Sequence, residues 1–222
     1  MKFLTAIMSL LLVVICSVAT PRCRIQKYDE SDGLTQWHVT QMTQDRQGMM
    51  WFSTWNGLCR YDGYEFQGFK GHVGDGNEIA TDRIRTVWLN DDGNIGCRVD
   101  DDLYLFNLHT YRFETRPGLK SYRNNAKSVK SGRPYRYKDK DGVLWTVYYD
   151  GKLTYSTDGT TENPYEGSVK MESARFCLPD RQGNLWVAGV NGIYKICFLH
   201  RYGNVERFGQ STEVKAFFVD NH

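Results

Sequence analysis

The sequence predicts an all-β chain, a β-propeller built of four-stranded meander blades, and three observations carry that expectation. First, a phrase recurs: Asp45-Arg46-Gln47-Gly48-Met49-Met50-Trp51-Phe52 returns as Asp180-Arg181-Gln182-Gly183-Asn184-Leu185-Trp186-Val187. Degraded copies surround two more glycines, so that Gly48, Gly93, Gly142 and Gly183 are separated by 45, 49 and 41 residues, a period typical of propeller units. Second, three of the four copies are followed by Asn56-Gly57, Asp150-Gly151 or Asn191-Gly192 between alternating apolar runs, which are strong hairpin signals. Third, no stretch beyond the N-terminal segment repeats its apolar residues at the helical spacing.

The elements follow in order. Lys2, a charge-free run from Phe3 and the small residues Ser17-Val18-Ala19 read as a signal peptide over residues 1–19, with the propeller over 20–222. A retained membrane anchor is the competing reading, although the run is shorter than the ~20 apolar residues of a span. Arg24-Ile25-Gln26-Lys27-Tyr28 then alternates like a lone outer strand. Units follow at about 35–70, 80–115, 133–157 and 173–208, each with an alternating run, the glycine turn, the hairpin and a weaker fourth run. The second unit departs from the phrase: it has Gly96 where the Trp should stand and Asp101-Asp102 in place of the hairpin glycine, so its turn should differ in type. Residues 214–222 open a fifth unit that stops before its glycine. The ring is therefore expected to be incomplete, four blades and the start of a fifth, as in the N-terminal part of a longer protein. On that reading the strand at residues 24–28 has no blade of its own to complete.

Residues that recur at fixed spacing serve packing, because a reaction centre needs one asymmetric constellation while packing needs the same residue in every unit. Trp51, Trp145 and Trp186 read as wedges between blades. Gly48, Gly93, Gly142 and Gly183 read as turn residues in the left-handed conformation. Cys23, Cys59, Cys97, Cys177 and Cys197 are scattered, with no CxxC pair, so they read as buried thiols; an oxidising compartment would permit a disulfide, but the spacing selects none. Neither a metal nor another cofactor is indicated. A formal charge of only +2 and export together argue against nucleic acid as a partner.

The stretch Tyr28-Asp29-Glu30-Ser31-Asp32-Gly33-Leu34, followed by residues 44–66 with Asp45-Arg46-Gln47-Gly48-Met49-Met50-Trp51-Phe52 and Asn56-Gly57-Leu58-Cys59-Arg60-Tyr61-Asp62-Gly63, resembles the two-component regulator propeller repeats. These form the periplasmic sensor region of hybrid two-component histidine kinases in Bacteroides and relatives. The resemblance runs from about Ile25 onwards and is weakest in the second unit. It implies a periplasmic sensor that detects oligosaccharides released from polysaccharides. It also implies a kinase in a C-terminal part that this sequence does not contain, so no enzyme activity is expected of the chain itself. The rest of the sensor protein, or a second sensor chain, would then be its protein partner.

Strand direction alternates in a propeller, so the loops between second and third strands share one face with the unit-to-unit connections. Trp55, Asn56, Tyr148 and Tyr149 lie in those loops, and aromatic faces beside hydrogen-bonding groups suit sugar rings. Ordinary packing is the competing account of each. Residues 112–140 hold ten Lys or Arg against Glu114 and Asp139. Within them Arg123, Arg133 and Arg136 read as a basic rim for an acidic oligosaccharide, or more plainly as a solvated loop. Two other classes compete with a sensor: a secreted glycan-active enzyme, a glycosidase or lyase, which needs paired carboxylates or a His-Tyr-Arg group converging on the channel, and a structural or interaction propeller.

Overall fold

The computed structural model describes residues 21–71, 74, 76–77, 79–121, 126–167 and 169–199. The signal-peptide segment, Arg123 and the opening of the fifth unit lie outside them. Apart from one short 3-10 turn at Glu30–Asp32, every described element is a strand. Among the described residues no helix is long and apolar enough to cross a membrane.

Four antiparallel sheets account for the strands. The first runs Val39–Gln44, Met50–Thr54, Gly57–Tyr61 and Phe66–Phe69; the second runs Ile84–Leu89, Ile95–Val99, Asp102–Asn107 and Arg112–Thr115. The third comprises Tyr135–Lys138, Leu144–Val147, Leu153–Ser156 and Asn163–Pro164. The fourth takes Phe176–Pro179, Leu185–Gly189 and Gly192–Leu199, and two segments from elsewhere complete it. Lys127–Ser128 adds to its inner edge, and Arg22–Tyr28 pairs along its outer edge in seven consecutive registers from Arg22↔Leu199 to Tyr28↔Ile193. The N-terminal strand therefore has a blade, contrary to the expectation that it waits for a missing one. Its alternation explains the fit: Cys23 and Ile25 turn to the core while Arg22 and Arg24 face water.

Three hydrophobic clusters join these sheets in the order third, fourth, first, second. Trp145 and Val147 pack with Val187 and Tyr194; Trp186 and Ala188 pack with Met42 and Phe52; Trp51 and Leu58 pack with Val87 and Phe106. Among the described residues no such cluster joins the second sheet to the third, so the ring is not closed. Its first and fourth sheets are neighbours, and its opening falls between two units that are consecutive in sequence.

The repeated phrase has a single physical meaning. In three units the aspartate three residues before the turn glycine accepts the indole N–H of the tryptophan three residues after it: Asp45 from Trp51 at 2.7 Å, Asp139 from Trp145 and Asp180 from Trp186 at 2.8 Å. The other carboxylate oxygen accepts a backbone N–H from the same turn, at Met49, Val143 and Asn184. One carboxylate thus fixes the turn and the wedge together, which a buried indole requires. Each turn glycine has positive φ, 92°, 91°, 81° and 84° along the chain, where a Cβ would be strained.

The second unit loses both partners at once, with Asn90 in the aspartate position and Gly96 in that of the tryptophan. The indole is displaced rather than absent. Trp88, cross-strand partner of Gly96, lies over that glycine so closely that a Cβ there would sit 2.1 Å from the ring. Trp88 is 1% exposed, yet its Nε1 has no acceptor among the described residues. The hairpin also differs, as Asp101-Asp102 suggested: Asp100 takes φ 50°, whereas Gly57, Gly151 and Gly192 carry the positive φ elsewhere.

A relay along the turn rim ends at the same place. Lys140 Nζ donates to the Gln182 carbonyl, Arg181 Nη1 to the Arg46 carbonyl, and Arg46 Nη2 to the Asp91 carbonyl. Each donor stands two residues before its turn glycine. In the second unit that position holds Asp91, which offers no cation to a following turn. Among the described residues, the unit whose phrase is degraded packs on the unit before it in sequence but not on the unit after it.

Candidate functional site

On the face opposite the glycine turns, residues from all four sheets surround a cavity of about 720 Å³. The first strands converge there, since Val39–Gln44 lies beside both Ile84–Leu89 and Phe176–Pro179, and Thr40 Oγ1 donates to the Ile84 carbonyl at 2.7 Å. Trp37, His38 and Trp55 form one wall, with the His38 and Trp55 rings 4.3 Å apart. Tyr149 and Arg175 line the cavity as well, the guanidinium lying 4.2 Å above the tyrosine ring, within cation–π range. Arg85 enters from the second sheet, held by Asp100 through two hydrogen bonds of 3.1 and 2.8 Å. Trp37, Trp55 and Tyr149 are all more than a third exposed, an unusual concentration of uncovered rings on one concave surface.

Electrostatically the mouth is positive. None of the described lining residues is Asp or Glu, and the Asp100 carboxylate is committed to Arg85. Burial, and then the nearby Arg175 charge, hold the His38 pKa below the ordinary imidazole range. Among the described residues no group of three His, Cys, Asp or Glu side chains is placed to hold a metal ion.

The residues singled out from the sequence separate into groups. Trp55 and Tyr149 line the cavity together. Asn56 stands beside it but is committed to the fold, its Nδ2 donating to the Thr35 carbonyl and its backbone N–H to Thr54 Oγ1. Tyr148 turns away from its neighbour and donates to Glu162 at 2.5 Å; Arg136 reaches the same carboxylate at 3.9 Å. Arg133 is exposed in a tight turn, bridged through its backbone to Lys130. Arg136 stands in the first strand of the third sheet, Tyr135–Lys138, and Arg133 just before it, but from this stretch it is Ser128 and Val129 that line the cavity.

The basic stretch at 112–140 is not one rim. Arg116 pairs with Asp92 on the turn side of the molecule, and Lys140 donates to Gln182 there, because the chain crosses the sheets and visits both faces. The cations that do reach the mouth, Arg85 and Arg175, come from other units. They stand at or just before the beginnings of first strands, as His38 does.

A second cavity of about 540 Å³ lies between the third and fourth sheets, walled by Asp150, Lys152, Glu166 and Lys170. Its aromatic residue, Tyr165, is tied to the Cys23 backbone at 2.6 Å. Mixed charges and a committed hydroxyl give it less to offer a ligand.

No family model matches the chain, and no curated protein matches its sequence. Solved structures do. The extracellular domain assigned to the hybrid two component system BT3049 of B. thetaiotaomicron is similar at 18% identity and a TM-score of 0.38, over 80% of this chain and 30% of that one. The corresponding domain of BT4673 from B. thetaiotaomicron aligns at 18% identity and a TM-score of 0.34, over 74% of this chain and 24% of that one. Virginiamycin B lyase from Staphylococcus aureus is similar at 13% identity and a TM-score of 0.32, over 82% of this chain and 61% of the enzyme. The chain thus spans about a third or less of the length of the two Bacteroides domains.

Proposed function

We propose that this chain is part of an extracytoplasmic sensor of a two-component system and that it recognises an oligosaccharide at the propeller mouth. The observation that carries the reading is the cavity itself, with Trp37, Trp55 and Tyr149 uncovered around one concavity to which all four sheets contribute. Ring faces of this kind stack on the apolar faces of sugars, while Arg175 and Ser128 supply polar groups for hydroxyls. The repeat phrase in the first unit, with its resemblance to regulator propellers, supports assignment to the sensing half of such a system. Export to the periplasm belongs to the same proposal. Hydrolysis by two carboxylates finds no pair among the described lining residues, whereas His38, Tyr149 and Arg175 line one cavity, which favours a lyase as the second reading.

Titration of a panel of neutral and acidic oligosaccharides into the protein, followed by calorimetry, tests the proposal. Saturable binding is expected, weakened about 30-fold by Trp55→Ala, as for truncating an aromatic anchor worth about 2 kcal/mol. Absence of saturable binding across the panel, or binding indifferent to both Trp55→Ala and Tyr149→Ala, would refute it.

A further inference from the structure

We infer that the mouth selects an anionic sugar, through the Arg175 guanidinium poised above Tyr149, over a neutral one of the same shape. This rests on the mouth being the binding site, and it names the ligand class for that site.

Three observations meet at Arg175. It is half-buried, with its backbone N–H donating to the Ala188 carbonyl at 2.7 Å, which fixes the start of the side chain on the cavity wall. Its guanidinium stacks on Tyr149 at 4.2 Å and, among the described residues, makes no ion pair. The other lining guanidinium, that of Arg85, shows the contrast, since Asp100 accepts two of its N–H groups. A half-buried cation with its stacking face on an aromatic ring keeps its N–H edge available for acceptors, and a planar fork matches a carboxylate or a sulfate bidentately.

The surroundings add to the selection. None of the described lining residues is a carboxylate, and the nearby Asp100 is already paired with Arg85, so little like charge opposes an anion there. His38, another lining residue and packed against Trp55, is close enough to Arg175 for that charge to act on its titration. An acidic group bound between them would be attracted by Arg175 and would favour the charged imidazole. The aromatic rings then hold the sugar face, and the cations read its substituent. The basic stretch at 112–140 contributes no guanidinium to this cavity among its described residues.

The test uses trigalacturonate, its fully methyl-esterified form as a neutral match, and a sulfated disaccharide with its unsulfated counterpart, titrated against the intact protein by calorimetry. At least one acidic sugar is expected to bind about tenfold or more tightly than its neutral match, as charge-assisted hydrogen bonds imply. Arg175→Gln is expected to erase that preference by lowering the affinity for the acidic member toward that of its neutral match, with the melting temperature unchanged. Arg175→Lys should restore attraction only in part, because it keeps the charge and loses the fork. A preference carried by the carboxylate pair alone or the sulfate pair alone identifies the group recognised; both support the inference. Equal affinity for acidic and neutral members, a preference that survives Arg175→Gln, or no binding of either acidic sugar would overturn it. Neutral oligosaccharide binding abolished by Trp55→Ala would, in any of these cases, leave the proposed function standing.

Discussion

Removing the Trp186 side chain should be among the costliest single changes in this fold. The indole is 1% exposed and sits among the rings of Tyr28, Phe52 and Tyr61, with centroids at 6.2, 5.7 and 5.6 Å. Tyr28 belongs to the N-terminal strand, the other two to the first sheet, and Trp186 to the fourth, so Trp186→Ala opens a hole where three chain segments meet. Truncating a buried tryptophan costs about 3–5 kcal/mol. The lost hydrogen bond adds to this, but Asp180 keeps the Asn184 backbone and side-chain N–H groups, so the polar term stays near ~1 kcal/mol. The sum, about 4–6 kcal/mol, approaches the whole stability of an ordinary domain, ~5–15 kcal/mol. Trp55→Ala, with a ring 49% exposed, should cost less than ~1 kcal/mol. Urea unfolding followed by circular dichroism measures both. A loss under about 1.5 kcal/mol for Trp186→Ala, or equal losses for the two, would show that the recurrent tryptophans are not the wedges described.

Further outcomes follow from the same contacts. Asp45→Ala strips acceptors from the Trp51 indole and the Met49 amide and should cost about 2–4 kcal/mol, whereas Asn90→Ala, which serves no indole, should cost clearly less in the same urea assay. Gly96→Ala drives a methyl into Trp88 and should cost about 1–3 kcal/mol; combining it with Trp88→Ala should give less than the sum, a coupling measurable in a double-mutant cycle. Burial pushes the Cys23 thiol up to about 12 and that of Cys59 up to about 11, so maleimide labelling at pH 8 should miss both until denaturant is added. His38 faces the Trp37 and Trp55 rings and the Arg175 charge, and its pKa is depressed in the free protein. A bound anion favours its protonated form, so trigalacturonate should bind more tightly as pH falls below the ordinary imidazole range, an effect absent from the methyl ester and lost in His38→Gln.

The architecture was legible because the phrase states its own contact. Asp, Gly and Trp at three-residue spacing put a carboxylate and an indole at opposite ends of one turn, and a contact of such short range survives in sequence as a pattern. Trp88 was not legible as a substitute, since it occupies the Trp position from the neighbouring strand, and only the register Trp88↔Gly96 reveals the exchange. The pairing of Arg22–Tyr28 with Gly192–Leu199 joins residues whose sequences say only that each wants a partner. At the mouth, reasoning from loops reached Trp55 and Tyr149 because the loop side follows from strand direction. Local charge density was a poor guide to the cations there: it drew attention to residues 112–140, while Arg85 and Arg175 are isolated in sequence and come together only through the convergence of first strands.

The edge pairing of Arg22–Tyr28 with Gly192–Leu199 also sets the order in which this chain can fold. Sheets one to three are assembled from contiguous sequence and can form as soon as each segment is free to pair. The fourth cannot, because its outer strand is made first and must wait for a partner roughly 170 residues later, a loop closure whose entropy is repaid only when both have met. Until then, Cys23 and Ile25 present an unpaired apolar edge to the surroundings. Docking of that strand should therefore be the slow step of refolding, and its release an early step of unfolding, with Trp186 losing Tyr28 from its ring cluster at the same moment.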